Sequence, residues 1–283
     1  LTAGSGQWNN LLDHLNDKHH TDGQAAIVES QLEQAERQDA ARKDVCLVIG
    51  AGDGVGGAIA RAFAAEGMAV CMTRRARNLD QLEALAETIR GAGGEAHAFG
   101  VDARSEAETI DLFATIERDI GPIAVVVFNI GANVQFGIRE TTTRVFTKVW
   151  EMACLAGFLA GREAANVMVP RQKGTVIFTG ATASIRGRER LAAFAAAKNG
   201  LRAVAQSMAR ELGPQGIHVA HVICDGAIDG VFTRSRFDDV TPLLEEDLIL
   251  KPDEIARNYV MLHRQQRSAW THELDLRPWR EQW

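Results

Sequence analysis

Two groups of residues in this chain have types and spacings that do chemistry. Phe194-Ala195-Ala196-Ala197-Lys198 has the form of a Tyr-x-x-x-Lys proton-transfer pair with phenylalanine in the tyrosine place. A phenol beside an ammonium can pass a proton to a carbonyl oxygen, whereas a phenyl ring can neither donate nor accept one. The only tyrosine, Tyr259, lies far along the chain from this stretch. Lys198 is therefore the member of the pair that keeps its chemistry. The second group is Gly50-Ala51-Gly52-Asp53-Gly54-Val55-Gly56, spaced Gly-x3-Gly-x-Gly. Glycines let a backbone approach a pyrophosphate, and the free N–H groups of a helix start attract its charge. A glycine-rich turn that binds nothing is the alternative, but the strand–turn–helix setting favours a nucleotide.

Other candidates surround these two. Thr73-Arg74-Arg75 closes the second strand without the acidic residue that would meet the ribose hydroxyls of NAD. An arginine there can meet a 2′-phosphate bidentately, which favours NADP(H) over NAD(H). Asp53 opposes a phosphate unless it faces solvent. Thr182 and Ser184 carry hydroxyls but are poor proton donors without an activating base. His218 and His221 on the sixth strand, and Asp225 at its end, are either acid–base groups or packed, hydrogen-bonded side chains. Arg186, Arg188 and Arg190 read as a solvated loop. Asp13, His14, Asp17, His19, His20 and Asp22 include metal-binding types, yet adjacent His19 and His20 point apart on a helix, and no metal is expected.

Strands and helices must bring these residues together. Residues 1–43 are polar, with two short amphipathic helices suggested by Leu11, Leu12 and Leu15 and by Ile27, Val28, Leu32 and Ala35. From Asp44 apolar runs alternate with helices: strands at 45–50, 68–73, 95–101, 123–129, 175–179, 217–224 and 269–274, and helices at 55–66, 79–90, 105–119, 147–168, 191–212 and 252–265. Continuous apolar strands, each followed by a helix, predict a parallel sheet covered on both faces, a doubly wound Rossmann-type α/β/α domain over residues 44–276. Residues 227–250 interrupt the rhythm at the carboxyl edge of the sheet, where Phe232, Phe237, Leu243 and Leu244 form either a lid or a packed surface loop. Residues 277–283 form a short aromatic tail suited to an interface.

The bulk numbers limit the partners. A chain of 283 residues with 46% hydrophobic and 24% charged residues suits one large α/β domain. A net charge of −6 without a basic face argues against nucleic acid. No apolar stretch approaches membrane-spanning length in this reading, and no signal-peptide core is seen. Cys46, Cys71, Cys154 and Cys224 lack metal spacing, so a reducing compartment, the cytoplasm, is expected.

Taken together, residues 44–276 resemble the short-chain dehydrogenase/reductase family. Gly50–Gly56 is similar to its glycine loop, with Ile49 in a threonine place. Asp102 falls where the family contacts adenine, Asn129-Ile130-Gly131 resembles its Asn-Ala-Gly element, and Asp225-Gly226 stands where Pro-Gly follows the sixth strand. The resemblance implies cofactor contacts from Gly50, Gly52, Asp53, Gly54, Val55, Gly56, Arg74, Arg75, Asp102, Asn129, Gly131, Lys198, Asp225, Gly226 and Ile228. It also implies that Phe194 replaces the catalytic tyrosine, Ala181 the serine, Ala153 the asparagine, and Gly230 a threonine near the nicotinamide.

The expected function is an atypical NAD(P)(H)-dependent oxidoreductase acting on a small or lipophilic carbonyl, alcohol or enoyl substrate. Thr182, Ser184 or water would replace the tyrosine. The alternative is a catalytically silent subunit that binds nucleotide or pairs with an active homologue. Alanine-dense helices, with Ala160, Ala164 and Ala165 on one and Ala192, Ala193 and Ala195 on the other, suit a homo- or hetero-oligomer.

Overall fold

The structure, a computed structural model, describes residues 42–281. The two N-terminal helices and the His/Asp group expected before residue 42, and Trp283 in the tail, lie outside the described residues.

β1 (Val45–Ile49), β4 (Ile123–Phe128) and β6 (Ile217–Cys224) are buried at every position. A strand with no polar face needs cover on both sides. With β2 (Ala69–Arg74), β3 (Glu95–Gly100), β5 (Gly174–Ala181) and β7 (Glu273–Leu276) they form a seven-stranded sheet ordered β3-β2-β1-β4-β5-β6-β7. Every pairing is parallel. The helices on the sheet are α1 (Val55–Ala65), α2 (Leu79–Gly91), α3 (Glu106–Asp119), α4 (Thr143–Trp150) and α5 (Ala156–Met168). After these come α6 (Ala192–Leu212), the short α7 (Val231–Arg234) and α8 (Thr241–Glu245), and α9 (Pro252–Arg264).

The two-residue period of the strands splits the interior into two cores. Cys46 and Val48 of β1 join Ile59, Phe63, Leu82, Ile255 and Tyr259 from α1, α2 and α9. Val45, Leu47 and Ile49 join Phe113, Ile116, Ala160 and Leu201 from α3, α5 and α6. The expected three-layer Rossmann-type fold is present.

α4 passes through a wide, π-type turn at Glu151–Leu155 into α5. Together with the turn after α5 they make one 29-residue run, Thr143–Arg171, whose most apolar 18-residue window has a mean hydropathy of 1.2. The expectation that no apolar stretch approaches spanning length is thus corrected. That run packs against β4, β5 and α6, and 56% of its most apolar window is buried, as befits a core helix.

The segment after β6 is a closed loop. Ile228 and Leu250 bridge in parallel, and the Leu250 N–H donates to the Ala227 carbonyl, so the loop's two ends are pinned together. The final strand begins four residues later than expected. Trp270 stacks on His218, with ring centroids 4.9 Å apart, and the carbonyl of Thr271 meets His218 Nε2. Those contacts occupy 270–271 before the ladder to β6 starts at Glu273.

Candidate active site

The strand order reverses at β1, whose neighbours are β2 and β4, so the loops after β1 and β4 diverge and leave a crevice at their carboxyl ends. Two cavities lie there and share a wall, Asn129-Ile130-Gly131. The smaller, about 220 Å³, is lined by Gly50, Gly52, Arg74, Arg75, Asp102, Arg104 and Met152, among others. The larger, about 820 Å³, is bounded by the glycine loop, the end of β5, the start of α6 and the loop 226–237.

The glycine loop fits a pyrophosphate on its own geometry. Gly50 has φ +93°, a left-handed conformation that glycine adopts without strain. A Cβ on Gly56 would lie 2.5 Å from the Gly50 carbonyl oxygen, so α1 can approach the strand only with glycine there. Asn129 Nδ2 donates to the same carbonyl at 3.1 Å and ties the β4 loop to the turn. No side chain caps α1, which leaves its first N–H groups for a ligand. A Cβ on Gly54 would meet nothing within 4 Å, so that side of the loop is open. Asp53 faces solvent and lines neither cavity.

Beyond the loop, Arg74 and Arg75 reach the smaller cavity without an acidic neighbour on β2. Arg74 donates to Gln81 Oε1 at 2.9 Å. The Asp102 carboxylate is engaged by Arg104, whose Nε donates to Oδ1 at 2.9 Å, and this pairing holds the carboxyl below its usual range. Arg104 carried no sequence signal; its role follows from lying two residues past Asp102 on a turn.

Lys198 lines the larger cavity yet is only 2% exposed. Its Nζ donates to the carbonyls of Thr179 at 2.8 Å and Ile130 at 3.0 Å, joining the ends of β5 and β4. Burial pulls its pKa down to about 8. Phe194, one helical turn earlier on α6, lines the same cavity, as do Ala181, Thr182, Gly226 and Ile228. Tyr259 belongs to the opposite core, where its hydroxyl is 2.8 Å from Thr179 Oγ1 and burial raises its pKa.

The other candidates are held elsewhere. Thr182 Oγ1 donates to Asp225 Oδ1. Asp225 is fully buried, faces neither cavity, and is paired with Arg186 and Arg277. Ser184 is fully buried and its Oγ accepts the Ala181 N–H at 3.1 Å. His221 is buried beside Glu273, and His218 stands near the amino end of β6, away from the cavities. Ala153 faces neither cavity, whereas the neighbouring Cys154 interacts electrostatically with Lys198. The arginine loop departs from a purely solvated reading, because Arg186 reaches the buried Asp225 and Arg188 lines the larger cavity. No group of three metal-ligating side chains occurs among the described residues.

The family profile described as short chain dehydrogenase matches residues 44–241. The chain belongs to the short-chain dehydrogenase family. Among relatives of this family, the 3-oxoacyl-[acyl-carrier-protein] reductase MabA of Mycobacterium avium is 31% identical over 191 residues, covering 67% of this chain and 69% of that protein. The uncharacterized oxidoreductase YxjF of Bacillus subtilis is 28% identical over 237 residues, covering 78% and 91%. Among solved structures, a short-chain dehydrogenase from Rhodopseudomonas palustris is 48% identical over 84% of this chain and 100% of its own, with a TM-score of 0.71. Actinorhodin polyketide ketoreductase with NADPH, 24% identical with a TM-score of 0.75, shares the fold.

Proposed function

We propose that this short-chain dehydrogenase is an atypical NADP(H)-dependent oxidoreductase that reduces a small or lipophilic carbonyl, or the reverse, without a tyrosine acid. When bound, the nicotinamide supplies or accepts the hydride. Gly50, Gly52, Gly54, Val55 and Gly56 would cradle the pyrophosphate, and Arg74 and Arg75 the 2′-phosphate. Asn129 and Gly131, in the wall the two cavities share, would contact the cofactor between them, Gly226 and Ile228 would do so in the larger cavity, and Lys198 would orient the ribose. Phe194 stands for the missing phenol and Ala181 for the missing serine.

Lys198 carries this reading: a buried ammonium with a pKa near 8 in the wall of the larger cavity. A group that titrates close to the working pH is the best placed to release a proton, here through water to the carbonyl oxygen. Thr182 already directs its hydrogen to Asp225, and Ser184 is covered. Carbonyl reduction should therefore be level below pH 8 and fall about tenfold per unit above it. The test is NADPH fluorescence titration followed by turnover on a ketone panel with Lys198→Met alongside. Binding, with turnover lost in the variant, supports the reading, and absence of NADPH binding sinks it.

The silent-subunit reading draws on the same missing phenol at Phe194, and on Phe146, Trp150 and Phe158, which are exposed on the long helix. That surface suits a homologous partner. Restoring Phe194→Tyr with Ala181→Ser separates the readings. An oxidoreductase cleft should gain at least tenfold in ketone reduction, while a drifted, silent cleft gains nothing.

A further inference from the structure

The larger cavity is unusual in what its outer wall offers. Arg188 and Arg236 both line it, both are exposed, and neither has a carboxylate partner among the described residues. The Arg236 guanidinium lies 4.0 Å over the Phe232 ring, which holds it at the rim without neutralising it. Neighbouring arginines are committed elsewhere: Arg186 to the buried Asp225, Arg190 toward Glu140, Arg234 to Asp229. The carboxylates in the wall are Asp229, which that last pair satisfies, and Glu281, which stands beside Gly226 on the C-terminal tail.

The same wall is apolar. Leu191 and Phe194 line the cavity from the α6 side. Opposite them, Val231, Phe232 and Phe237 are 71%, 51% and 47% exposed, a concentration of uncovered apolar surface within seven residues. Burying such surface contributes about 25 cal/mol per Å², so a ligand with an apolar body gains by entering. Two unpartnered guanidiniums at the rim favour a ligand whose other end is an anion, since each can make a bidentate, charge-assisted pair with a carboxylate or phosphate.

We propose that this cavity binds an amphiphilic anion, with its apolar body against Phe194, Leu191, Phe232 and Phe237 and its carboxylate or phosphate head on Arg188 and Arg236. The assignment deepens the oxidoreductase reading and rests on it for the claim that this ligand is the substrate. It selects acyl compounds carrying a terminal charge over neutral ketones of equal length.

Isothermal titration of the full chain, with and without NADP+, tests it using octanoate, octyl phosphate and octanol. Octanoate or octyl phosphate should bind at least tenfold more tightly than octanol, and the tighter of the two names the head group. The preference should shrink with added salt, because the rim is exposed. Arg188→Gln with Arg236→Gln should erase it, while Arg190→Gln leaves it intact. All three side chains are exposed, so the fold tolerates their loss. Equal binding of octanol and the anions, or a preference that survives in the double variant, overturns the inference. NADPH titration on the same sample keeps the two readings apart: an anion preference without NADPH binding removes the cofactor reading alone, and NADPH binding without an anion preference removes this one alone.

Discussion

His221 sits midway along β6 with its Nδ1 3.1 Å from Glu273 Oε2 and its Nε2 buried without a hydrogen-bond partner. Burial pulls its pKa to about 4; Glu273 opposes that shift, and Lys198 and Arg202 add to it. Because its folded pKa lies below the ordinary 6.5, the unfolded state binds the proton first as the pH falls. Stability is therefore whole above pH 6.5 and declines as the pH falls toward 4. The loss at pH 5 is about 2 kcal/mol. Glu273, held low mainly by Arg202, reinforces the decline further into acid. Urea unfolding at pH 7 and pH 5 checks this. His221→Phe keeps an aromatic ring and removes the titration, so its stability, whatever its level, should change less between those two values than that of the parent chain. Lys198 has the same sign at the other end of the scale: its pKa is lowered to about 8 from 10.5, so its penalty as a buried ammonium is relieved as pH rises through that window. In the proposed reaction that penalty would bring a lysine proton within reach of neutral chemistry.

Close contact between α5 and α6 holds Lys198 over the cavity, and Gly157 permits it. A Cβ there would lie 2.3 Å from Leu201 Cδ1 and 3.1 Å from Phe128 Cε1, both on fully buried side chains that cannot swing away. Gly157→Ala gains about 1 kcal/mol of helix propensity but overpacks by about 1–3 kcal/mol, so a net loss of up to about 2 kcal/mol is expected in denaturant unfolding. In a Leu201→Ala background the same change should cost nothing or stabilise, a coupling that a double-mutant cycle reads directly. Elements of this kind were largely legible in the sequence. β6 is found at Ile217–Cys224 as its apolar run predicts, and α6 begins one residue from the expected position. What escaped was non-local. The wide turn Glu151–Leu155 carries no signal in the apolar periodicity, and it holds both Ala153, the position that the resemblance implies, and Cys154, which interacts with Lys198. Arg186 looks solvated until Asp225, remote in sequence, is folded beneath it. β7 is an edge strand with partly exposed residues, and Trp270 mimics its start by stacking on His218.

At the scale of the whole molecule, the two cavities draw their walls from the ends of β1, β2, β4, β5 and β6 and from α6. These strands are the middle of one sheet, and each contributes to one or both cores. A dinucleotide spanning both cavities therefore touches elements that cannot separate without global unfolding, and its binding energy adds to the stability of the entire domain rather than of one loop. At a hundredfold excess over its Kd, NADPH should stabilise the chain by about 2.7 kcal/mol, which for a domain of this size raises Tm by about 5–10 °C. NADH should give a smaller rise, because it lacks the phosphate that Arg74 and Arg75 would meet. Replacing both arginines by glutamine should bring the two cofactors level without lowering the Tm of the free protein, since these side chains are partly solvated and stand outside both cores. Gly56→Ala forces a Cβ against the Gly50 carbonyl and should abolish the rise with either cofactor. An NADPH shift that survives Gly56→Ala would mean that the nucleotide lies off the glycine loop and is held by the walls of the larger cavity instead.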